Sequence, residues 1–295
     1  MSPFACLACI ILLGSTALNA QTDDVSLRFL TYNVAGLPEP ISASSPAKNS
    51  PKIGALINSY DVVLVQEDFN YHNKLSEAAL HPYQSKTSGW AGFGDGLNAF
   101  SKVPFQGLER IKWKDCHGVI TQGSDCLTPK GIMFARYEIT PGVTVDVYDL
   151  HADAGSDEGS MEARRSNITQ LLDLIQERSG GRAVVVVGDF NSRYTRNGDI
   201  AEHMVQAGFQ DSWMVWNDLP ALPSKGPALN ESCAAEPAGA FCELIDKIYF
   251  RGSDDLDVSL MDYHVPFDVF VDAAGKPLSD HLPVAAELRF RFHQD

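Results

Sequence analysis

Six apolar runs in this chain each carry a polar or ionisable residue at or beside one end, and the residue types recur. LRFLTYN stops at Asn33, DVVLVQE at Glu67 and VTVDVYDLH at His151. AVVVVGDFN stops at Asp189 and Asn191, ELIDKIYF carries Asp246, and LSDHLPVAAELRF opens on Asp280 and His281. Carboxylates are hard oxygen ligands for a divalent cation. A histidine beside an aspartate can move or hold a proton near neutral pH, and an asparagine amide donates to an anion without adding charge. Such groups cost free energy on a buried strand unless paired, hydrogen-bonded or coordinated. One alone would be a satisfied core group or a turn former. Six at strand termini point to one place where strand ends converge.

The elements that must position them follow from the patterning. Each run is short, rich in Val, Ile, Leu, Phe or Tyr, and reads as a strand. Asp189 and Asn191 lie two apart and so face the same side of an extended chain. Helices are expected over residues 50–58, 162–178 and 199–207. In the second of these Ile168, Leu171, Leu172 and Ile175 share a face and Gly180-Gly181 stops the helix. GDGLNAFSK followed by GLERIKW reads as a hairpin-like pair. Paired strands mixed with crossover helices predict a two-sheet core covered by helices. At 295 residues and 44% hydrophobic content the chain can bury a large single domain.

Residues 4–14, FACLACIILLG, are too short an apolar run to span a bilayer, which needs about 20 residues. The run reads as the core of a signal peptide over residues 1–20, cleaved after Ala20 or Ala17, ahead of a domain over residues 21–295. This implies a secreted protein. Of six cysteines, Cys6 and Cys9 leave with that segment, while Cys116, Cys126, Cys233 and Cys242 remain. Sequence proximity pairs Cys116 with Cys126 and Cys233 with Cys242. A four-cysteine zinc site is the rival reading, and neither pair has the short spacing it favours. Asn167 and Asn230 open glycosylation sequons. A net charge of −15 lacks the basic footprint of a nucleic-acid binder.

The motifs TYNVAGLPE, VLVQED, GLNAFSK, LHADAG, GDFNSR, IDKIYF and SDHLPV together resemble, in order, those of the endonuclease/exonuclease/phosphatase superfamily of deoxyribonuclease I. The resemblance implies an α/β (α+β) fold, a four-layer αββα sandwich of two mixed sheets flanked by helices. It implies a metal-dependent phosphoric ester hydrolase with Mg2+, or Mn2+ or another divalent cation. Glu67 would be the principal metal ligand, with Asn33 and Asp280 helping to hold metal or metal-bound water. Asp189 and Asn191 would place the attacking water and the phosphate. His281 would be the general base or the group that polarises the phosphate, with Asp246 orienting its ring. His151 would contact the phosphate or assist the leaving group. Two rival readings stay open from the residues themselves: Asp246 as a buried partner of Lys247 or Arg251, and His151 as a loop histidine.

The resemblance implies a phosphoester substrate on a lipid head group, a nucleic acid or a small phosphate ester. LHADAG followed by a charged helix is similar to the sphingomyelinase-like branch. That branch implies a phosphodiesterase with transient membrane-surface contact, for which Trp90, Phe93, Trp213 and Trp216 are candidate aromatics. The alternatives are a secreted nuclease, in which Arg164, Arg165, Arg193 and Arg196 grip phosphates, and a phosphomonoesterase on sugars or inositols. A binding module without activity is disfavoured, because no key position is replaced. No stable protein partner is implied, and a monomer is expected.

Overall fold

The computed structural model describes residues 24–39, 41–42, 44–89, 94–118, 125–226 and 242–293. The expected signal segment, Trp90, Phe93, Asn230 and Cys233 lie outside the described residues.

The apolar runs form strands arranged as two six-stranded sheets. The first has the order β11 (Leu256–His264), β12 (Val284–Phe292), β1 (Val25–Asn33), β2 (Val62–Gln66), β4 (Asn98–Ser101), β3 (Tyr83–Gln84). The second has β5 (Phe105–Lys112), β6 (Gly131–Thr140), β7 (Val143–His151), β8 (Val184–Asp189), β10 (Asp246–Arg251), β9 (Gln210–Asp211). Both sheets are mixed: β1 and β2 run parallel, as do β7 and β8, and the other pairs are antiparallel.

Side-chain alternation explains the layering. Leu27 and Phe29 of β1, with Val62 and Leu64 of β2, join the core shared with Val147 and Val187 of the second sheet. The intervening Leu30, Tyr32, Val63 and Val65 form a separate core with Ile53, Ile57 and Leu75. Those last three come from α1 (Pro46–Leu56), the short 3-10 turn after it, and α2 (His72–Ala78). On the far side α3 (Glu158–Ser179) buries Ile168, Leu171, Leu174 and Ile175, and Ser179 is hydrogen-bonded to Tyr148 of β7 at 2.7 Å. The result is helix, sheet, sheet, helix. No helix of the described residues is long and apolar enough to cross a membrane.

Several expected boundaries move for physical reasons. α1 begins at Pro46, four residues before the expected start, because proline suits the first helical turn where no amide partner is needed. α3 begins at Glu158 because the Asp157 carboxylate accepts from the Ser160 amide at 3.1 Å and caps the helix. Leu174, rather than Leu172, completes its buried face. The helix expected over residues 199–207 shrinks to α4 (Glu202–Gln206), because the Asp199 carboxylate is held by arginines instead of capping a helix. A further single-turn helix, α5 (Ser212–Trp216), follows β9.

The largest correction concerns GDGLNAFSK and GLERIKW. They are not a hairpin, since β4 belongs to the first sheet and β5 to the second. Lys102 to Pro104 between them carries the chain across the sandwich. Cys116 and Cys126 are joined, with Cα atoms 5.4 Å apart, which removes the zinc reading for this pair. Cys242 is also disulfide-bonded. Asn167 is fully buried: its amide donates to the Asp115 carbonyl at 2.9 Å, and its oxygen accepts from the Asp153 amide at 2.9 Å. The first sequon is therefore closed in the folded chain.

Candidate active site

Strand register brings the expected residues together. In the second sheet His151 of β7 lies opposite Asp189 of β8, and Asp189 lies opposite Asp246 of β10. One row across three neighbouring strands thus carries a histidine and two carboxylates. In the first sheet Asn33 of β1 lies opposite Gln66 of β2. Because Phe29, Thr31 and Asn33 share a face, Asn33 points between the sheets. Its amide reaches Asp189 Oδ2 at 3.2 Å and Glu67 Oε1 at 3.2 Å, with His281 Nε2 at 3.5 Å. Its oxygen accepts from the Ala35 amide at 3.1 Å.

Glu67 follows β2, where alternation alone would turn it away from the other sheet. It adopts a left-handed backbone, φ +56°, and the turn re-aims its carboxylate toward Asn33. Gly36 approaches it so closely that a Cβ there would stand 2.4 Å from the Glu67 carbonyl oxygen, which accounts for the glycine in TYNVAGL. Gly188 in VVGDF has the same origin: a Cβ would meet the Leu150 carbonyl oxygen at 2.1 Å.

His281 enters from the segment ahead of β12. Its Nδ1 lies 2.9 Å from Asp246 Oδ2 and its Nε2 lies 3.7 Å from Asp189 Oδ2. The Asp246 carboxylate serves the histidine ring, while Lys247 pairs with Glu243 at 3.0 Å. The rival reading of Asp246 as a partner of Lys247 is thereby corrected. Burial by itself would push the His281 imidazolium down, but Asp246 and then Asp189 outweigh it and hold the ring well above the usual histidine range. Burial and the adjacent Asp246 push Asp189 up to about 7, against the pull of His281 and Lys130.

His151 is 1% exposed, with Nε2 3.4 Å from Asp189 Oδ2 and 3.9 Å from Glu67 Oε1. It is a residue of the cluster, not a loop histidine. Burial first, then Lys130 and His281, keep its ring well below the usual range. It is neutral, so its approach to Asp189 is no ion pair. Its Nε2 instead accepts from Lys130 Nζ at 2.9 Å. Lys130 was not anticipated. The available signal was a lone cation directly before the buried run GIMFAR, at the end of the Cys116–Cys126 loop.

Asn191 lies just past β8 with φ +49°. Its backbone amide donates to Asp189 Oδ1 at 2.9 Å and its side chain donates to the Ala152 carbonyl at 3.2 Å. Asp280 is exposed at the rim, where its Oδ1 accepts from Ser279 Oγ at 3.4 Å. Three of the four expected phosphate-gripping arginines pair with carboxylates. Arg164 and Arg196 are both committed to Asp199, and Arg165 pairs with Glu158. Trp213 is buried and stacks on Tyr194, whereas Trp216 is 44% exposed.

The donor set suits a hard divalent cation. Asp189 and Asp246 meet His281, Asn33 links Asp189 to Glu67, and Lys130 reaches the cluster through His151, while Asp280 stands at the rim beside His281. Asp246 Oδ1 is buried without a hydrogen-bond partner among the described residues, which is costly unless a cation lies nearby. Asp189, Asp246 and His281 also bring one potential ligand atom each within 4.8 Å of one another, but the Nδ1 of His281 is taken up by Asp246. The oxygens of Glu67, Asn33 and Asp280 are the suitable donors.

Comparison with known proteins follows the same lines. The model of the endonuclease/exonuclease/phosphatase family matches residues 30–281. The sphingomyelinase of Mycobacterium bovis is 33% identical over 290 residues, covering 95% of this chain and 56% of that protein. The chain therefore spans little more than half the length of the curated relatives it matches. Among solved structures, sphingomyelinase C from Streptomyces griseocarneus superposes with a TM-score of 0.60 at 17% identity, covering 89% of this chain and 99% of that one. A Staphylococcus aureus beta toxin variant with bound magnesium ions gives 0.58 at 18%, covering 88% and 99%. At such identities these structures speak for the fold. With the family model matched over residues 30–281, the chain belongs to the endonuclease/exonuclease/phosphatase family.

Proposed function

We propose that the protein is a secreted, divalent-metal-dependent phosphodiesterase that hydrolyses the head-group ester of a sphingolipid of the sphingomyelin type. The observation that carries the hydrolytic part is the chain Asp246–His281–Asp189, set within reach of Asn33 and Glu67 at the joined ends of two sheets. The lipid preference is supported by the sphingomyelinases among its relatives and by a net charge of −15, which repels polyanions.

Each residue has a role that its surroundings favour. Asp189, pushed up to about 7, accepts a proton from the attacking water near neutral pH. His281 keeps its proton, stabilised through Nδ1 by Asp246, and directs Nε2–H at a phosphoryl oxygen. Neutral His151 holds Lys130, so an ammonium group stands near the anionic centre. Asn191 and Asn33 orient water and phosphate by hydrogen bonds. The water oxygen bonds to phosphorus as the bond to the alcohol breaks, and the departing alkoxide takes a proton from solvent. Glu67, with Asn33 and Asp280, would hold Mg2+. When bound, that ion withdraws charge from the phosphoryl oxygen.

The test is a substrate panel of sphingomyelin vesicles, bis-p-nitrophenyl phosphate, p-nitrophenyl phosphate and plasmid DNA, each with Mg2+ and with EDTA. Turnover of sphingomyelin and the diester, abolished by EDTA, is expected. Undiminished turnover in EDTA would overturn the metal requirement. Plasmid cleavage without lipid hydrolysis would make the protein a nuclease, and monoester turnover alone would make it a phosphatase.

A further inference from the structure

Arg164 is among the most buried side chains of the described residues, at 2% exposure, and it sits on the buried face of α3. A buried charge needs partners. Its Nε and Nη2 meet Asp199 Oδ1 at 3.2 and 2.8 Å. Its Nη1 donates to the carbonyls of Asp153 and Gly155 at 2.9 and 3.0 Å. The other oxygen of Asp199 accepts from Arg196 Nε at 2.5 Å and from the Arg193 amide at 2.9 Å. Arg196 then turns its Nη2 onto the Asn191 carbonyl. One buried carboxylate thus links two guanidinium groups. One of these grips the loop after β7, the strand that ends in His151. The other grips the backbone of Asn191 after β8.

The two loops also touch directly. The Ala152 amide donates to the Asp189 carbonyl at 2.9 Å, and the Asn191 side chain donates to the Ala152 carbonyl at 3.2 Å. Asn191 itself has φ +49°, a left-handed backbone that asparagine tolerates better than most residues, and the bonds to its amide and carbonyl groups hold it there. A buried ion-pair cluster is a poor device for stability, because desolvation offsets most of its attraction. Its directional bonds do fix geometry.

We propose that Asp199, Arg164 and Arg196 form a positioning unit that holds Asn191 in its left-handed conformation and locks the His151 and Asn191 loops together. None of the three occupies the strand-end row that carries the chemistry, so each acts on the reaction through Asn191 and the loop after His151. This rests on the reading of Asn191 as the residue that places water and phosphate.

Arg196, at 17% side-chain exposure, is the practical probe, since Arg164 is too buried to remove without endangering the fold. With bis-p-nitrophenyl phosphate and saturating Mg2+, Arg196→Met is expected to lower kcat by roughly tenfold to a hundredfold, the scale of a displaced catalytic group, with KM nearly unchanged. Arg196→Lys should recover little of the loss, because an ammonium group lacks the planar fork that reaches Asp199 and Asn191 together. In an Asn191→Ala background the same Arg196→Met change should cost nothing further in kcat, as non-additivity demands of residues acting as one unit. Amide hydrogen exchange over residues 190–199 should accelerate in Arg196→Met. A folded Arg196→Met protein with wild-type kcat would overturn the proposal. So would a loss that persists undiminished in the Asn191→Ala background, or unchanged exchange. If the wild-type protein hydrolysed no phosphoester, the functional reading would fall, and the exchange experiment would still decide the clamp.

Discussion

Replacing Asp246 by asparagine removes one negative charge and leaves the size of the side chain almost unchanged. In the folded protein that carboxylate lies 2.9 Å from His281 Nδ1, and a hydrogen bond to a charged group is worth about 1.5–3 kcal/mol. At 1.36 kcal/mol per pKa unit, the His281 imidazolium should lose its proton about 1–2 units lower in Asp246→Asn. Asp189 responds in the same direction, because Asp246 is one of the two influences that raise it. Both limbs of the kcat/KM profile against pH should therefore slide towards acid. The acid limb moves with Asp189 and the alkaline limb with His281, and the maximum should drop by roughly 10²–10⁴.

Stability supplies an independent check on the same substitution. The folded-state pKa of His281 is raised above the ordinary histidine value of about 6.5. Its contribution to stability is thus fully present below about pH 6.5 and disappears as pH rises through the folded pKa. Asp246→Asn should flatten the decline in thermal midpoint above that pH. The measurements are steady-state kinetics and thermal unfolding across pH 5–10. A variant that loses rate while both limbs stay in place would show that Asp246 does not set the protonation of His281. The assigned roles would then be wrong.

Two further outcomes follow from features outside the site. Removing the Cys116–Cys126 bridge by paired Cys→Ser changes opens a loop of sequence separation 10, which chain entropy values at about 2.5–3 kcal/mol. The thermal midpoint should fall by roughly 4–5 °C, and an unchanged midpoint would show that the bridge constrains nothing. Burial drives the Asp149 carboxyl well above the usual range, although Gln66 donates to it at 2.7 Å. Asp149→Asn should therefore shift the urea unfolding free energy by less than about 1 kcal/mol, whereas a large loss would reveal a carboxylate ionised in the core.

Much of this arrangement was legible in the sequence because strand ends carry their own signature. VVVVGD and VVLVQ announce buried strands, and whatever follows them must lie at a sheet edge. What alternation could not convey was the aim of Glu67, which depends on a left-handed backbone at one residue. Lys130 was missed for a related reason: it precedes a strand instead of ending one, and a lysine after proline looks like an ordinary turn. The β4 and β5 pair was misread because a local turn signal at Val103-Pro104 looks the same whether the chain folds back or crosses to another sheet. Arg164 illustrates the limit from the other side. Read as a phosphate-gripping arginine, it instead lies on the buried face of α3, and its partner is 35 residues away. Pairings at that distance are decided by packing, not by pattern.

The order of strands along the chain has a consequence for when the site exists at all. Every strand of the second sheet lies between β5 and β10, nested inside the first sheet, whose last two strands come at the far end of the chain. During synthesis the His151, Asp189 and Asp246 row can form while His281 has yet to emerge. Only when β12 returns to pair with β1 does the histidine reach Asp246. During synthesis the site is therefore completed by chain closure, and a nascent chain that ends before His281 would hold most of the machinery without the histidine that answers Asp246.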